Sequence, residues 1–309
     1  MLKEALYTGK ILLFGEYGII HDSMGLSIPY EPVHGSLKFE SEEPEKAARS
    51  NMELRKYAAY LASTDQVQAT FDIDRLMADL DAGLYFDSTI PQGFGVGSSG
   101  ALVAAIYENY CMDSISSSSE LPTEDLKRLK SILGQMETFF HGKSSGLDPL
   151  ICYLNLPILI KSSSEMGTVG LPEQGHGKGA IFLLNTGMKG KTQPLVNHFL
   201  ERCKEEGFRT MLKKEFKKYN DASIEAFLAT DISGLMKNVK ELSKVLLAHF
   251  SPMIPSIFQK LWKQGIETNA YYLKLCGSGG GGFILGFTED FDKAESMLSG
   301  YELNRIHSF

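Results

Sequence analysis

The sequence predicts a chain of mixed helix and strand, arranged as two domains or one large two-part unit. Three observations predict it. The 309 residues exceed what a single hydrophobic core usually serves. Hydrophobic residues make up 43% and charged residues 22%, which are the proportions of a globular enzyme rather than a disordered chain. Alternating stretches and helically spaced stretches both recur along the chain, with no internal repeat at solenoid periods.

The elements follow in order. "ILLFGEYGII" reads as a buried strand followed by a turn, and "HGSLKFE" alternates like a strand. "ELRKYAAY" is left as a loop. "AGLYFDSTIP" is a strand ended by Pro91. A glycine loop comes next, then a helix from about Ser99 to Cys111. "SISSSSE" is a polar loop too brief for a linker. "PTEDLKRLKSILGQMETFF" has helical spacing, with Thr123 as N-cap. "PLICYLNLPILIK" reads as β-rich. The polar, glycine-rich "SSSEMGTVGLPEQGHGKG" suggests a boundary, dividing 1–165 from 166–309. "GKGAIFLLNTG" reads as a strand. From Gln193 to about Lys263 the spacing is helical, broken near Gly207, Asp231 and Pro252 to Pro255. Trp262 falls on a helix as a core residue. "AYYLKLCGSGGGGFILGF" reads as strand, glycine loop and strand, before the helix "DFDKAESMLSG" and a last short strand.

The bulk numbers exclude several functions. A net charge of -7 opposes a general nucleic-acid binder, which needs a basic face. A single nucleotide pocket is still compatible with it. Cys111, Cys152, Cys203 and Cys276 are widely spaced without a C-x-x-C, so reduced thiols in a cytoplasmic protein are expected. "MLKEALYTGK" has no apolar core of a signal peptide, and no stretch approaches ~20 apolar residues, so no membrane span is expected. The seven histidines form no spaced metal set.

"GFGVGSSGALVAAIYENY" asks for a phosphate. Gly95, Gly97 and Gly100 spell the dinucleotide fingerprint. The loop, however, sits almost a hundred residues into the chain, behind Pro91, and not after the first strand of a βαβ unit. A P-loop reading fails at "GKSS" and "GKT", because Glu137 and Asn185 stand where the leading glycine belongs. The third reading places Ser98 and Ser99 at a helix start, where free N–H groups and the dipole face an anion. The bland alternative is a plain serine cap after a glycine turn.

Three segments together carry a resemblance. "PQGFGVGSSGA" resembles the P-x-x-x-G-L-G-S-S-A/G-A motif of the GHMP kinases. "GKILLFGEYGIIH" is similar to that family's first motif and "KLCGSGGGGFILGF" to its third, in the family's order. "ETFFHGKSSGLD" resembles the mevalonate kinases within it, which carry a Glu and then G-x-P-S-G-x-D. Glu137 and Asp148 keep the eleven-residue spacing, but Ser144 replaces the proline, a departure that bears on loop stiffness.

The resemblance implies an α+β fold, with an N-terminal domain like ribosomal protein S5 and a ferredoxin-like C-terminal domain. It implies an ATP- and Mg²⁺-dependent kinase acting on a small-molecule hydroxyl, as a monomer or homodimer with no nucleic-acid or membrane partner. Lys10 and Asp148 would be catalytic, the aspartate accepting the hydroxyl proton and the lysine countering developing charge. Gly93, Gly95, Val96, Gly97, Ser98, Ser99 and Gly100 would hold the nucleotide, with Gly279 and Gly280 of the second glycine loop. Ser99 and Glu137 would be Mg²⁺ ligands, waters and ATP oxygens completing the shell. Glu16, Tyr17 and Thr192 are placed toward the substrate. Mevalonate ranks first as acceptor, phosphomevalonate second and a sugar third. A non-catalytic, ligand-sensing relative is the alternative of another class.

Overall fold

The structure is a computed structural model that describes residue 2 and residues 5–65, 67–118, 121–162 and 165–309. Ser119 and Glu120 of the serine loop, and Ser163 and Ser164 of the boundary segment, lie outside the described residues. The elements run β1 (Tyr7–Phe14), β2 (Gly25–Lys38), α1 (Pro44–Ser63), α2 (Ile73–Asp81), β3 (Tyr85–Ser88), α3 (Ser98–Tyr110), α4 (Thr123–His141) and α5 (Leu147–Leu154). Then come β4 (Ile158–Ile160), β5 (Met166–Thr168), β6 (Ala180–Asn185), α6 (Thr192–Arg202) and α7 (Glu206–Met211). A π-helical turn, Leu212–Phe216, leads into α8 (Lys217–Leu228), followed by α9 (Ile232–His249) and α10 (Ser256–Thr268). β7 (Tyr272–Leu275), β8 (Phe283–Thr288), α11 (Phe291–Met297) and β9 (Leu303–Ser308) close the chain. The class is α+β.

Two compact units divide the chain. One takes the chain up to Lys10, Ile28–Pro91 and Val96–Leu156; the other takes Ile11–Ser27, Gln92–Gly95 and Pro157–Phe309.

In the first unit, β3 runs antiparallel to the end of β2, from Gly35↔Ser88 to Lys38↔Tyr85. Helices α3, α4 and α5 meet at glycines. A Cβ on Gly100 would lie 2.9 Å from the Asp148 carbonyl carbon and the Pro149 nitrogen. One on Gly134 would lie 3.1 Å from the Gly146 nitrogen. Backbone therefore approaches backbone at the start of α5, which only glycine permits. Around these crossings Ala101, Val103, Leu133, Met136, Leu150 and Ile151 are fully buried. α1 covers α4 through aromatic rings, Tyr57 lying 5.2 Å from both Phe139 and Phe140.

In the second unit, β7-β8-β6-β9 form an antiparallel sheet. β6 is central and almost wholly apolar, as its sequence AIFLLN requires of a strand paired on both edges. The first residues of β2 pair with β4, and β4 with β5. Asp231 caps α9 by accepting the Gly234 N–H at 2.9 Å. Trp262 is buried in α10 and donates to the Ser243 carbonyl at 3.1 Å. The π-turn carries Phe216 against Gly18.

Four expectations are corrected. "PLICYL" is helix α5, because Gly146 in the left-handed region starts it and Asn155 in the same region ends it. A short run that is apolar on every side does not distinguish a buried helix from a strand. "ELRKYAAY" belongs to α1, where Arg55 pairs with Asp81 at 2.8 Å. Thr123 is the first helical residue, Pro122 being the cap. Gly207 lies inside α7, the break falling before Glu206.

Candidate active site

The first unit gathers Lys10, the glycine-rich loop from Val96 onward, Glu137 and Asp148. Gly97 has φ +87°, a conformation that glycine adopts without strain, and it turns the chain into α3. Ser98 and Ser99 open the helix, whose first-turn N–H groups have no carbonyl of their own helix to bond. A Cβ on Gly97 would sit 2.9 Å from Lys10 Cγ and 3.2 Å from Cys152 Sγ. The loop is therefore pressed onto the lysine stem, and the Lys10 N–H donates to the Val96 carbonyl at 3.0 Å. Burial pushes the Cys152 thiol well above its ordinary range, which makes it packing rather than a nucleophile.

Lys10 is 3% exposed, yet its Nζ lies 2.9 Å from Asp148 Oδ2, whose side chain is 39% exposed. A sheltered cation thus holds a carboxylate that water and small molecules can reach. Asp148 stands in the first turn of α5, after the Gly146 turn.

Glu137, on α4, is 3% exposed. Its Oε1 accepts from Ser99 Oγ at 2.8 Å and its Oε2 from Ser144 Oγ at 2.5 Å. Burial above all, and then the charge of Asp148, raises the Glu137 carboxyl to about 7, while both serine hydroxyls and Lys10 act against the rise. A buried carboxylate with a second carboxylate nearby calls for a cation. Ser99 and Glu137 bring a hydroxyl and a carboxylate oxygen together, and hard oxygen donors of this kind suit Mg²⁺. Among the described residues no three His, Cys, Asp or Glu side chains gather around a metal site. Mg²⁺ needs none, since it keeps waters and takes phosphate oxygens.

The second unit holds the other residues that the resemblance singled out. Gln92–Gly95, the turn after β6 and the glycine loop after β7 are laced by backbone bonds. Gly190 N–H donates to Gly93 O at 2.9 Å, Gly282 N–H to Met188 O at 2.6 Å, and Gly280 N–H to Met253 O at 2.7 Å. Gly279 and Gly280 both have φ +76°. The Thr192 and Ser278 hydroxyls are 3.1 Å apart. Glu16 is buried and its Oε1 lies 2.5 Å from Nζ of Lys274, which is fully buried as well. Tyr17, at φ +59°, packs 4.6 Å from Phe199 and donates to the Ser278 carbonyl at 2.7 Å. Tyr17 thus bonds to the glycine loop, while Glu16 bonds to Lys274 in the strand before it. Sequence reasoning noted Ser144 only as a departure in the proline's place, without its bond to Glu137, and did not single out Lys274, the first residue of "KLCGSGGGGFILGF".

Family models match twice: the GHMP kinases N terminal domain over residues 54–155, and GHMP kinases C terminal over residues 223–302. The chain belongs to the GHMP kinase family. It is a small-molecule kinase. Solved structures similar to this kinase include L. major mevalonate kinase in complex with R-mevalonate, at 15% identity and a TM-score of 0.66, covering 100% of this chain and 97% of that one. Streptococcus pneumoniae phosphomevalonate kinase, in complex with phosphomevalonate and AMPPNP, has 14% identity and a TM-score of 0.60, with 98% and 99% covered. Lactococcus lactis galactokinase complexed with galactose has 12% identity and a TM-score of 0.57, with 98% and 93% covered. At these identities the likeness is one of fold. No curated protein matches the sequence. Among the described residues no helix of the kinase is long and apolar enough to cross a membrane.

Proposed function

We propose that the kinase transfers the γ-phosphoryl group of ATP to the primary hydroxyl of mevalonate, giving 5-phosphomevalonate. The observation that carries this reading is the half-exposed Asp148 carboxylate held 2.9 Å from the sheltered Lys10 ammonium. Asp148 accepts the proton of the acceptor hydroxyl, and Lys10 counters the charge that develops on the oxygen and the transferring group. The N–H groups at the start of α3 receive phosphate oxygens. Ser99 and Glu137 would hold Mg²⁺, which when bound neutralises charge on the phosphates. The domain division at 165/166 belongs to the same reading.

Mevalonate is favoured over phosphomevalonate by the supply of cations. A phosphomonoester carries nearly two charges at neutral pH and calls for several basic contacts, best from arginine. The motif segments offer Lys10, Lys143, Lys189 and Lys191 but no arginine, and Arg55 is committed to Asp81. The test compares kcat/KM for mevalonate, phosphomevalonate and galactose at matched Mg²⁺. Mevalonate is expected to be highest. A value for phosphomevalonate tenfold above it overturns the acceptor and leaves the kinase standing.

A further inference from the structure

We propose that Ser144 is a positioning residue for Glu137, doing with a hydroxyl what a proline does by stiffening the loop. The inference rests on the reading that Ser99 and Glu137 hold the divalent cation.

The hydroxyl protons can be assigned one by one. Ser144 Oγ lies 2.5 Å from Glu137 Oε2 and accepts the Gly146 N–H at 3.0 Å. With Glu137 ionised, as it must be to hold a cation, the carboxylate only accepts, so the single Ser144 proton goes to Glu137 and its lone pair to Gly146. The hydroxyl is oriented from both sides. Ser99 likewise gives its proton to Glu137 Oε1 at 2.8 Å. His141 Nε2 lies 3.0 Å from Ser99 Oγ, and with the Ser99 proton already committed this nitrogen must be the donor. One chain of bonds then runs from His141 through Ser99 and Glu137 to Ser144 and the Gly146 backbone.

The two ends of that chain differ in consequence. Ser99 Oγ and Glu137 Oε1 are the pair that the proposed function assigns to the cation. Ser144 ties back the other oxygen, Oε2, and so fixes the rotation of the carboxylate about its last bond. It also clips α4, which carries Glu137, to Gly146, the residue that starts α5 two positions before Asp148. A proline in this place stiffens the loop but offers no proton to Oε2. Removing the hydroxyl should leave the chain folded and the carboxylate free to turn.

The test uses Mn²⁺ as a paramagnetic probe, titrated into the full-length protein saturated with a non-hydrolysable ATP analogue and followed by water-proton relaxation. Ser144→Ala is expected to raise the Mn²⁺ Kd about tenfold, the scale of one hydrogen bond to a charged group. Ser144→Thr, which keeps the hydroxyl, should stay within about twofold of wild type. Ser144→Val, the same shape without the hydroxyl, should match Ala and serves if Ala does not fold. Metal-free affinity for the analogue should be unchanged in all three. Glu137→Gln should weaken Mn²⁺ at least as much as Ser144→Ala. Wild-type Mn²⁺ affinity in Ser144→Ala or Ser144→Val, with Glu137→Gln weakened, overturns the role of Ser144 alone. Unchanged affinity in Glu137→Gln overturns the cation reading, and the role of Ser144 with it.

Discussion

Two lysine–carboxylate pairs sit in the two units, and they are built differently. Lys10 and Asp148 meet at 2.9 Å with the carboxylate 39% exposed. Lys274 and Glu16 meet at 2.5 Å with side-chain exposures of 0% and 3%. The sealed pair has no room for a reactant. Its lysine spends a further proton on the Leu275 carbonyl at 2.9 Å and lies 5.4 Å from the Phe14 ring centre. The open pair buries its cation and leaves its anion accessible, the arrangement a proton acceptor needs. On the proposed function, exposure of the carboxylate rather than the presence of a salt bridge is what separates the two pairs.

The largest expected effect tests the open pair. Asp148→Asn keeps the shape and removes the proposed proton acceptor, so kcat should fall on the order of 10²–10⁴-fold with ATP affinity nearly intact. Wild-type turnover in the folded variant would remove Asp148 from the mechanism. The sealed pair should answer in stability instead. Lys274→Met removes the cation from buried Glu16, and breaking a buried ion pair in this way costs about 3–5 kcal/mol. Lys10→Met should cost clearly less, because Asp148 can rehydrate, while turnover collapses. Urea midpoints decide it, and equal losses in the two variants would break the comparison.

Gly97→Val comes next. A side chain there must tolerate φ +87° and displace Lys10 Cγ, which costs about 1–3 kcal/mol in strain. Nucleotide binding measured by calorimetry should be lost, and retained affinity would count against the phosphate loop. The smallest effect is a slope. Folding raises the Glu137 carboxyl from 4.5 to about 7, so the folded state binds this proton more tightly than the unfolded chain. The stability it confers is fully present below about pH 4.5 and is lost as pH rises through about 7. In metal- and nucleotide-free protein, Glu137→Gln should gain on wild type as pH rises from 5 to 8. Parallel unfolding curves across that range would show that Glu137 stays ionised throughout.

Much of this was legible in the sequence. Helices α3 and α4, strand β6 and the β7–β8 pair announce themselves through caps, glycines and periodicity. The pairing of Lys10 with Asp148 is what the family resemblance implies. α5 escaped because a short apolar run has no face to reveal. The sealed pair escaped because Glu16 and Lys274 lie 258 positions apart, and no local pattern marks two charges as mutual partners. Ser144 was visible as a departure, but its bond to Glu137 depends on how α4 and α5 meet.

That meeting point has a consequence for how the protein can change. At Gly100, Gly134 and Gly146 main chain touches main chain, so the placement of Asp148 is inherited through positions that carry no reactive group. Aliphatic neighbours such as Val103, Leu133 and Leu150 can be exchanged among themselves at modest cost. A methyl group would meet main chain at under 3.0 Å on Gly100 and Gly146, and at 3.1 Å on Gly134. A saturation library selected for turnover should therefore return them as immovable as the aspartate itself. A catalogue of reactive side chains would name the aspartate and pass over all three.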